Sequence, residues 1–397
     1  MSQWGRNSRK FADYPANERE AVVQGLCGLV SLLNDKCCLD CFVTYGTLLG
    51  TVRKGHLIPH DFDCDLCVIA AGADVCSRHQ AVWNLIEVLR TRYTISTWRS
   101  NAHHSVHVPL PGGGEYKIDL FLGWISGDGF NQHFSISKIS RDTVFPLRFM
   151  TLAGRAVPVP RLPEIYLRAI YGDGWGTEQT EFEHKLDAID WRTFSDLSYM
   201  TDEASYWTGF YSQPPQGISQ PTAFARAVAE QLPRGRRLRV LDVGAGNARD
   251  SRLFRSLAHR VEGLDRADSA ELHIDCDEYH RVDLNNTCDV IGWIDNVAMD
   301  YDVIYARFLL HSLTAFGQRN FWRLCRRKLA ANGQVHIECR VERCVTKGPP
   351  HYRRIQSLEA VERDAMSCGL SVLWSGKSTG WAIHGDEDPL VARLILR

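Results

Sequence analysis

The chain has 397 residues, room for about two domains at ~100–200 residues each. Hydrophobic residues at 44% and charged residues at 23% exclude a largely disordered chain, and 31 Gly with 15 Pro exclude collagen-like sequence. Lys and Arg number 46 against 47 Asp and Glu, a formal net charge of -1 that excludes bulk electrostatic capture of nucleic acid or of an anionic membrane.

The 13 cysteines are odd in number and spread along a long chain, which fits free thiols in a reducing compartment. The N-terminal MSQWGRNSRKFADYPANERE is polar and lacks the apolar core of a signal peptide. No stretch reaches the ~18–20 apolar residues that span a bilayer. The expectation is a cytoplasmic protein without a membrane span.

In chain order, Glu18 to Leu33 carries Ala21, Val22, Leu26, Leu29, Val30 and Leu33 at spacings of three and four, the mark of an amphipathic helix. Cys41 to Tyr45 reads as a strand ending in a glycine turn at Gly46, and Asp63 to Ile69 as a second strand. Ala81 to Thr91 is helical and Tyr116 to Leu122 a third strand. From Gln179 to Pro221 the composition turns polar, with Gln213-Pro214-Pro215-Gln216-Gly217, and reads as an inter-domain connection. This places the domains at 1–190 and 191–397.

In the second half, Leu238 to Val243 is a short apolar strand running into Gly244-Ala245-Gly246-Asn247 and then a helix, the opening of a βαβ unit. Strands expected at Arg260 to Leu264, Tyr301 to Tyr305 and Gly333 to Cys339 are separated by room for crossover helices. That spacing predicts a mostly parallel sheet with helices on both faces.

Asp61, Asp63 and Asp65 alternate with Phe62 and Cys64 on entry to a strand, so a period of two sends the three carboxylates to one face. Like charges at about 7 Å intervals repel, and a divalent cation with a preference for oxygen, Mg²⁺ or Mn²⁺, is their natural partner. Asp119, in Lys117-Ile118-Asp119-Leu120-Phe121, closes such a site from a neighbouring strand. Arg53 is read as a phosphate clamp.

Tyr45-Gly46-Thr47-Leu48-Leu49-Gly50-Thr51-Val52-Arg53 followed by Ile58-Pro59-His60-Asp61-Phe62-Asp63-Cys64-Asp65 resembles the signature of the LicD and fukutin-related phosphotransferase family, which has a nucleotidyltransferase fold. Phe145-Pro146, Tyr166-Leu167 and Tyr171 to Trp175 resemble its later segments, so the likeness runs over roughly residues 20–176. The resemblance implies an α+β domain that transfers a phospho-alcohol, polyol phosphate or phosphocholine, from a CDP-linked alcohol donor to a glycan or polyol-phosphate acceptor. By correspondence Asp63, Asp65 and Asp119 would be metal ligands, Asp61 a further ligand or the base for the acceptor hydroxyl, and Gly46, Thr47 and Arg53 the substrate side. The sequence departs from the commoner pattern with His60 where Trp is usual and Phe62 where Asp is frequent, which tilts the donor towards a CDP-polyol.

Val240 to Ser251, with Gly244, Gly246, Asn247 and Asp250, is similar to motif I of class I S-adenosylmethionine-dependent methyltransferases, a Rossmann-like fold. The glycines let backbone approach a ligand, Asp242 orients the turn or reaches the cofactor's amino group, and Asp265 stands where an acid accepts both ribose hydroxyls. Dinucleotide binding is the alternative, but Arg249 replaces the last glycine of its fingerprint. Tyr206 to Tyr211, Tyr305 to Ser312, Glu338 to Arg340 and His351 to Arg354 resemble methyltransferases of surface-polysaccharide enzymes. His311 is the expected base for a hydroxyl acceptor, and Arg307, Arg340, Arg353 and Arg354 together suggest an anionic one.

Cys37, Cys38 and Cys41, like Cys64 and Cys67, lack the spacing of a four-ligand zinc site and read as buried thiols. The combined expectation is an α/β chain of two domains acting as a bifunctional enzyme of surface glycan assembly. It would have peripheral contact with a glycan assembly complex and no nucleic-acid partner. The alternative is that only the methyltransferase is active and the first domain is a binding or scaffolding module.

Overall fold

Apolar residues at helical spacing open the first folded unit: α1 (Ala16–Leu32) buries Val22, Val23, Leu26, Leu29 and Val30. The computed structural model describes residues 9–97, 100–132, 135–177, 203–212, 220–268, 274–341, 345–347, 353–383 and 387–397. The chain divides into compact units Met1–Ser198 and Tyr199–Arg397.

In the first unit β1 (Cys41–Val43) leads into α2 (Tyr45–Lys54). The expected strand through Tyr45 therefore stops early. The Leu48 amide already donates to the Thr44 carbonyl, and Tyr45 takes a left-handed φ of 40°, so Gly46 and Thr47 sit in the first helical turn rather than in a glycine turn. β2 (Asp63–Ile69) runs as expected. α3 (Val75–Arg90) starts well before Ala81 because the Asp74 carboxylate accepts the Ser77 amide as an N-cap.

Four strands follow, β3 (Thr94–Thr97), β4 (His103–Pro109), β5 (Glu115–Ser126) and β6 (Gly129–Gln132), then β7 (Ser135–Ser140). α4 (Arg141–Val144), a hairpin of β8 (Arg148–Leu152) and β9 (Arg155–Val159), and α5 (Pro163–Tyr171) complete the unit. The sheet order is β1-β2-β5-β4-β3, with β6 and β7 extending from β5. β2 and β5 are parallel, whereas β1 with β2, β4 with β5 and β3 with β4 are antiparallel, giving a mixed α+β layer.

The second unit opens with α6 (Glu203–Ser212), a helix inside the stretch expected to be a connection. The rest of that stretch, Gln179 to Asp202 and Gln213 to Ser219, lies outside the described residues. α7 (Ala223–Gln231), β10 (Arg239–Val243), α8 (Arg249–Ser256), β11 (Arg260–Asp265), β12 (Glu278–Arg281), α9 (Thr287–Asn296), β13 (Tyr301–Arg307) and α10 (Ala315–Lys328) follow. After β14 (Leu329–Arg340) come the short pair β15 (Val345–Lys347) and β16 (Arg353–Ile355), then α11 (Leu358–Ser367), β17 (Val372–Ser378) and β18 (Val391–Leu396).

The strand order β12-β11-β10-β13-β14-β18-β17 has five parallel strands, with β18 antiparallel between β14 and β17. Phe224, Ala225 and Val228 of α7 and Phe254 of α8 pack on Val240, Val261, Val303 and Tyr305 of the sheet. The order reverses at β10 and β13, so their carboxyl ends open a crevice where such sheets bind ligands. Among the described residues no helix is long and apolar enough to cross a membrane. The described cysteines are free thiols; Cys37, Cys41, Cys64 and Cys67 are buried as expected, but Cys38, in the left-handed turn that ends the helical segment before β1, is exposed.

Candidate active sites

In the first unit, strand register builds a polar face. Asp63 pairs with Lys117 and Asp65 with Asp119 across the parallel β2 and β5, while Ser105 of β4 stands opposite Asp119 on the other side. Alternation sends all five side chains the same way. Asp61 precedes β2, and its Oδ1 accepts the Phe62 amide at 3.0 Å.

The start of α2 anchors this face. The Gly46 amide donates to Asp65 Oδ2 at 3.0 Å, and the Asp65 amide donates to Thr47 Oγ1 at 2.8 Å. A Cβ on Gly46 would collide with the Asp61 carboxylate and sit 3.4 Å from Asp65 Oδ2, so only glycine leaves room for both acids. Sequence reading named Gly46 and Thr47 as substrate contacts. The structure gives them a supporting part, holding Asp65 in place.

The acids are not electrostatically alike. Burial pushes Asp61 up to about 6 and Asp63 up to about 8, with Asp119 adding repulsion to both. Burial, then Asp63 and Asp61, raise Asp65 well above the carboxylate range. Asp119 is also opposed by burial, but His103 and Lys117 outweigh it and hold the group at about 2. Lys117, whose ammonium burial disfavours, is kept charged by Asp119 and Asp63.

Buried oxygen donors carrying more negative charge than their neighbours offset are the chemistry that suits Mg²⁺ or Mn²⁺, so the residues fit a divalent cation. Lys117 is the residue sequence reading missed, because its part follows from register with Asp63 rather than from spacing. Asp61, Asp63, Asp65 and Asp119 do not form a group of three with one ligand atom each within 4.8 Å of the others. Such a group does form in the second unit, at Glu262, Glu278 and His280. There Arg260 pairs with both glutamates and Tyr301 donates to Glu262, so the acids are already compensated.

Arg53, expected as a phosphate clamp, has its guanidinium engaged by backbone. Its guanidinium donates to the backbone carbonyls of Trp175 and, at 2.6 Å, Thr177, strapping the segment after α5 to α2. The carbonyl of Trp175 accepts from its Nε at 2.8 Å as well.

In the second unit a cavity of about 800 Å³ opens at the carboxyl ends of β10, β11 and β13. Gly244 and Gly246 of the turn after β10 have φ of 80° and 53°, conformations that L side chains adopt at a cost. The Gly246 amide donates to Asp265 Oδ2 and the Ala267 amide to Asp265 Oδ1, both at 2.9 Å. The last residue of β11 is thereby locked to the glycine turn. Asn247 also lines the cavity.

Asp242 is buried in a strand of apolar residues, and its Oδ2 accepts the Ser251 hydroxyl at 2.6 Å. Burial and then the charge of Asp250 push it up to about 7. Asp250 itself accepts from the Thr222 amide, the Thr222 hydroxyl and the Tyr305 hydroxyl, which fastens α7 to the sheet. α6 places the Tyr211 ring against Gly246, and Trp207 stacks on Tyr211 at 5.9 Å. The aromatic run Tyr206 to Tyr211 was a sequence signal for this cover, but its helical form was not.

Phe308 follows β13 in a left-handed conformation, φ 53°, a strained backbone of the kind that collects at functional sites. Arg307 lies 4.2 Å and Arg340 5.5 Å from its ring centroid, and His311 meets its edge at 5.4 Å. His311 is buried and lines the cavity, as do Arg307, Arg340 and Arg353. The arginines do not converge on one point. Arg307 and Arg393 both hold Glu338, which is 1% exposed, Arg340 holds Glu387, and Arg354 donates to Gln318. An anionic acceptor would meet a wall whose positive charge is largely matched from within. His351 and Tyr352 lie outside the described residues.

The strand order with one antiparallel strand, the glycine turn and the acid closing β11 give the second unit a Rossmann-like α/β fold, and the first unit is an α+β domain. Residues 39–162 match the family model described as LicD/FKTN/FKRP, nucleotidyltransferase domain. No curated protein sequence matches the chain.

Among solved structures, the chain is similar to the 1,6-didemethyltoxoflavin-N1-methyltransferase of Burkholderia thailandensis with bound S-adenosylhomocysteine. That likeness has 14% identity and a TM-score of 0.38, covering 49% of this chain and 86% of that one. A TehB-like SAM-dependent methyltransferase of Corynebacterium glutamicum is 19% identical, with a TM-score of 0.33, over 49% of this chain and 95% of that one. A SAM-dependent methyltransferase of Leishmania major is 16% identical, with a TM-score of 0.37, over 49% and 82%.

Proposed function

We propose that the chain is a bifunctional enzyme of surface glycan assembly. Its first domain, 1–190, transfers a phospho-alcohol from a CDP-linked donor to a glycan or polyol-phosphate acceptor, and its second, 191–397, methylates the product or its substituent with S-adenosylmethionine. The observation that carries the first activity is the single face on which Asp63, Asp65 and Asp119 are presented by register-paired strands. Asp63 and Asp65, with Asp119 or Asp61, would hold Mg²⁺ or Mn²⁺. Bound there, the cation supplies charge neutralisation for a diphosphate. The helix start at Gly46 and Thr47 fixes Asp65, and His103, 3.3 Å from Asp119, adds positive charge beside it when protonated.

For the second activity, Asp265 fits a ribose: its carboxylate oxygens each accept one backbone amide and keep lone pairs for hydroxyls. S-adenosylmethionine supplies the methyl group. His311 lies in the same cavity and is the residue proposed to accept the proton of an acceptor hydroxyl.

The test is mass spectrometry of glycan treated with the purified chain, CDP-ribitol or CDP-choline, and S-adenosylmethionine, comparing Asp63→Asn with His311→Ala. Loss of the phospho-alcohol mass in the first and of 14 Da per methyl, about one CH₂, in the second supports the assignment. The second reading, a first domain that only binds, is favoured by Lys117 standing between Asp63 and Asp119. Calorimetry decides between them, since a binding module would show no metal-dependent affinity for CDP-alcohols.

A further inference from the structure

Asp119 differs from its neighbours in how fully its oxygens are engaged. Oδ1 accepts the Ser105 hydroxyl at 2.5 Å, and Oδ2 lies 2.8 Å from Lys117 Nζ and 3.3 Å from His103 Nε2. The same Nζ is 3.1 Å from Asp63 Oδ2, so a single ammonium bridges acids on two neighbouring strands. Register builds this in: Lys117 is directly across from Asp63, two residues before Asp119 and on the same face. The Phe62 ring, with its centroid 6.0 Å from Nζ, covers the ammonium from the loop before β2.

On the other side of the face the situation is reversed. Asp61 and Asp65 converge on Gly46, where backbone amides are their main donors and no lysine or arginine pairs with either among the ion pairs of the described residues. Two cations brought within about 5 Å repel strongly at low effective dielectric, so the place occupied by the ammonium is closed to a second metal while it remains there.

We infer that Lys117 is a built-in monovalent cation that fills the position between Asp63 and Asp119 and restricts the face to one divalent ion, held by Asp61, Asp65 and the Asp63 oxygen that the ammonium does not take. This rests on the reading of the first unit as metal-dependent. The lysine thereby divides the work of charge neutralisation between a side chain and a single exchangeable ion. Asp119 becomes a positioning residue that holds the ammonium, with Ser105 holding Asp119.

Mn²⁺ binding to the full chain, followed by electron paramagnetic resonance of the free ion, tests this in wild type, Lys117→Met, Lys117→Arg and Asp63→Asn. The expected result is one ion per chain that Asp63→Asn removes, the same single ion in Lys117→Arg, and in Lys117→Met either a second ion or tightening on the order of tenfold. Two ions lost together in Asp63→Asn would overturn the inference, as would a folded Lys117→Met with wild-type stoichiometry and affinity. No Asp63-dependent Mn²⁺ in any variant would overturn the metal-dependent reading itself. Circular dichroism on each variant separates loss of fold from loss of the ion.

Discussion

Asp65 and Asp119 stand opposite each other across two parallel strands, both buried, one held by the start of a helix and the other by a lysine and a serine. Asparagine at position 65 would still accept the Gly46 amide while removing one charge from a crowded face. Asp65→Asn is expected to leave the metal-free protein at least as stable as wild type. Wild type should gain about 2–3 kcal/mol from Mn²⁺ at a hundredfold excess over its dissociation constant, and the variant should lose most of that gain. Thermal melts with and without Mn²⁺ measure both, and an equal metal-induced shift in the two proteins contradicts the ligand assignment.

Two glycine substitutions should separate a crowding effect from a backbone effect. In Gly46→Ala the new methyl meets a side-chain carboxylate, so Asp61 shifts and Mn²⁺ affinity falls with a stability change below about 1 kcal/mol. In Gly246→Ala the methyl meets the Tyr211 ring in a left-handed backbone, so destabilisation of about 1–3 kcal/mol accompanies weaker S-adenosylmethionine binding. Urea melts and calorimetry on each variant report the two quantities.

Glu338 is the shared acceptor of Arg307 and Arg393 in a buried position. Removing it in Glu338→Ala leaves two guanidiniums uncompensated and should cost about 3–5 kcal/mol. Glu338→Gln, which retains an acceptor, should cost less. Equal unfolding midpoints for wild type and Glu338→Ala would show that the three-membered ion pair contributes nothing.

Asp242, raised by burial and by Asp250 to about 7, links the second unit's stability to pH. The folded carboxyl holds its proton above the pH at which the unfolded chain releases it, near 3.8. Folding is therefore favoured most below that value, and stability falls as pH rises from about 4 through about 7, by at most about 1.4 kcal/mol per pH unit. Asp242→Asn still accepts the Ser251 hydroxyl and should flatten that slope. Urea unfolding between pH 5 and 8, about the range in question, is the measurement.

The sequence was most legible where chemistry and periodicity coincide. β2 begins at Asp63, where alternating acids meet an apolar run, and β10 was read from an apolar strand ending in glycines. α6 escaped because Tyr206, Trp207, Phe210 and Tyr211 lie in a short segment flanked by turn-formers, and the rings pack on one another, with Tyr211 against Gly246, rather than forming an apolar stripe of their own. The antiparallel β17 and β18 were missed since Val372 to Ser378 mixes polar residues into an edge strand. Lys117 was printed in the same motif as Asp119, yet nothing within one strand tells which residue lies across from it. Arg53 and the cavity arginines were read by charge alone, whereas their partners come from distant segments: Trp175, Glu338 and Glu387.

β18 occupies an interior place in its sheet although it follows every neighbouring strand in the chain. During translation β14 and β17 emerge from the ribosome without the hydrogen-bonding partner that joins them. The second unit must wait in a part-formed state for Val391–Leu396, while the first unit has all its strands and can fold ahead of it. Nascent chains stalled before residue 391 should accordingly display a protease-resistant first unit and a digestible second one.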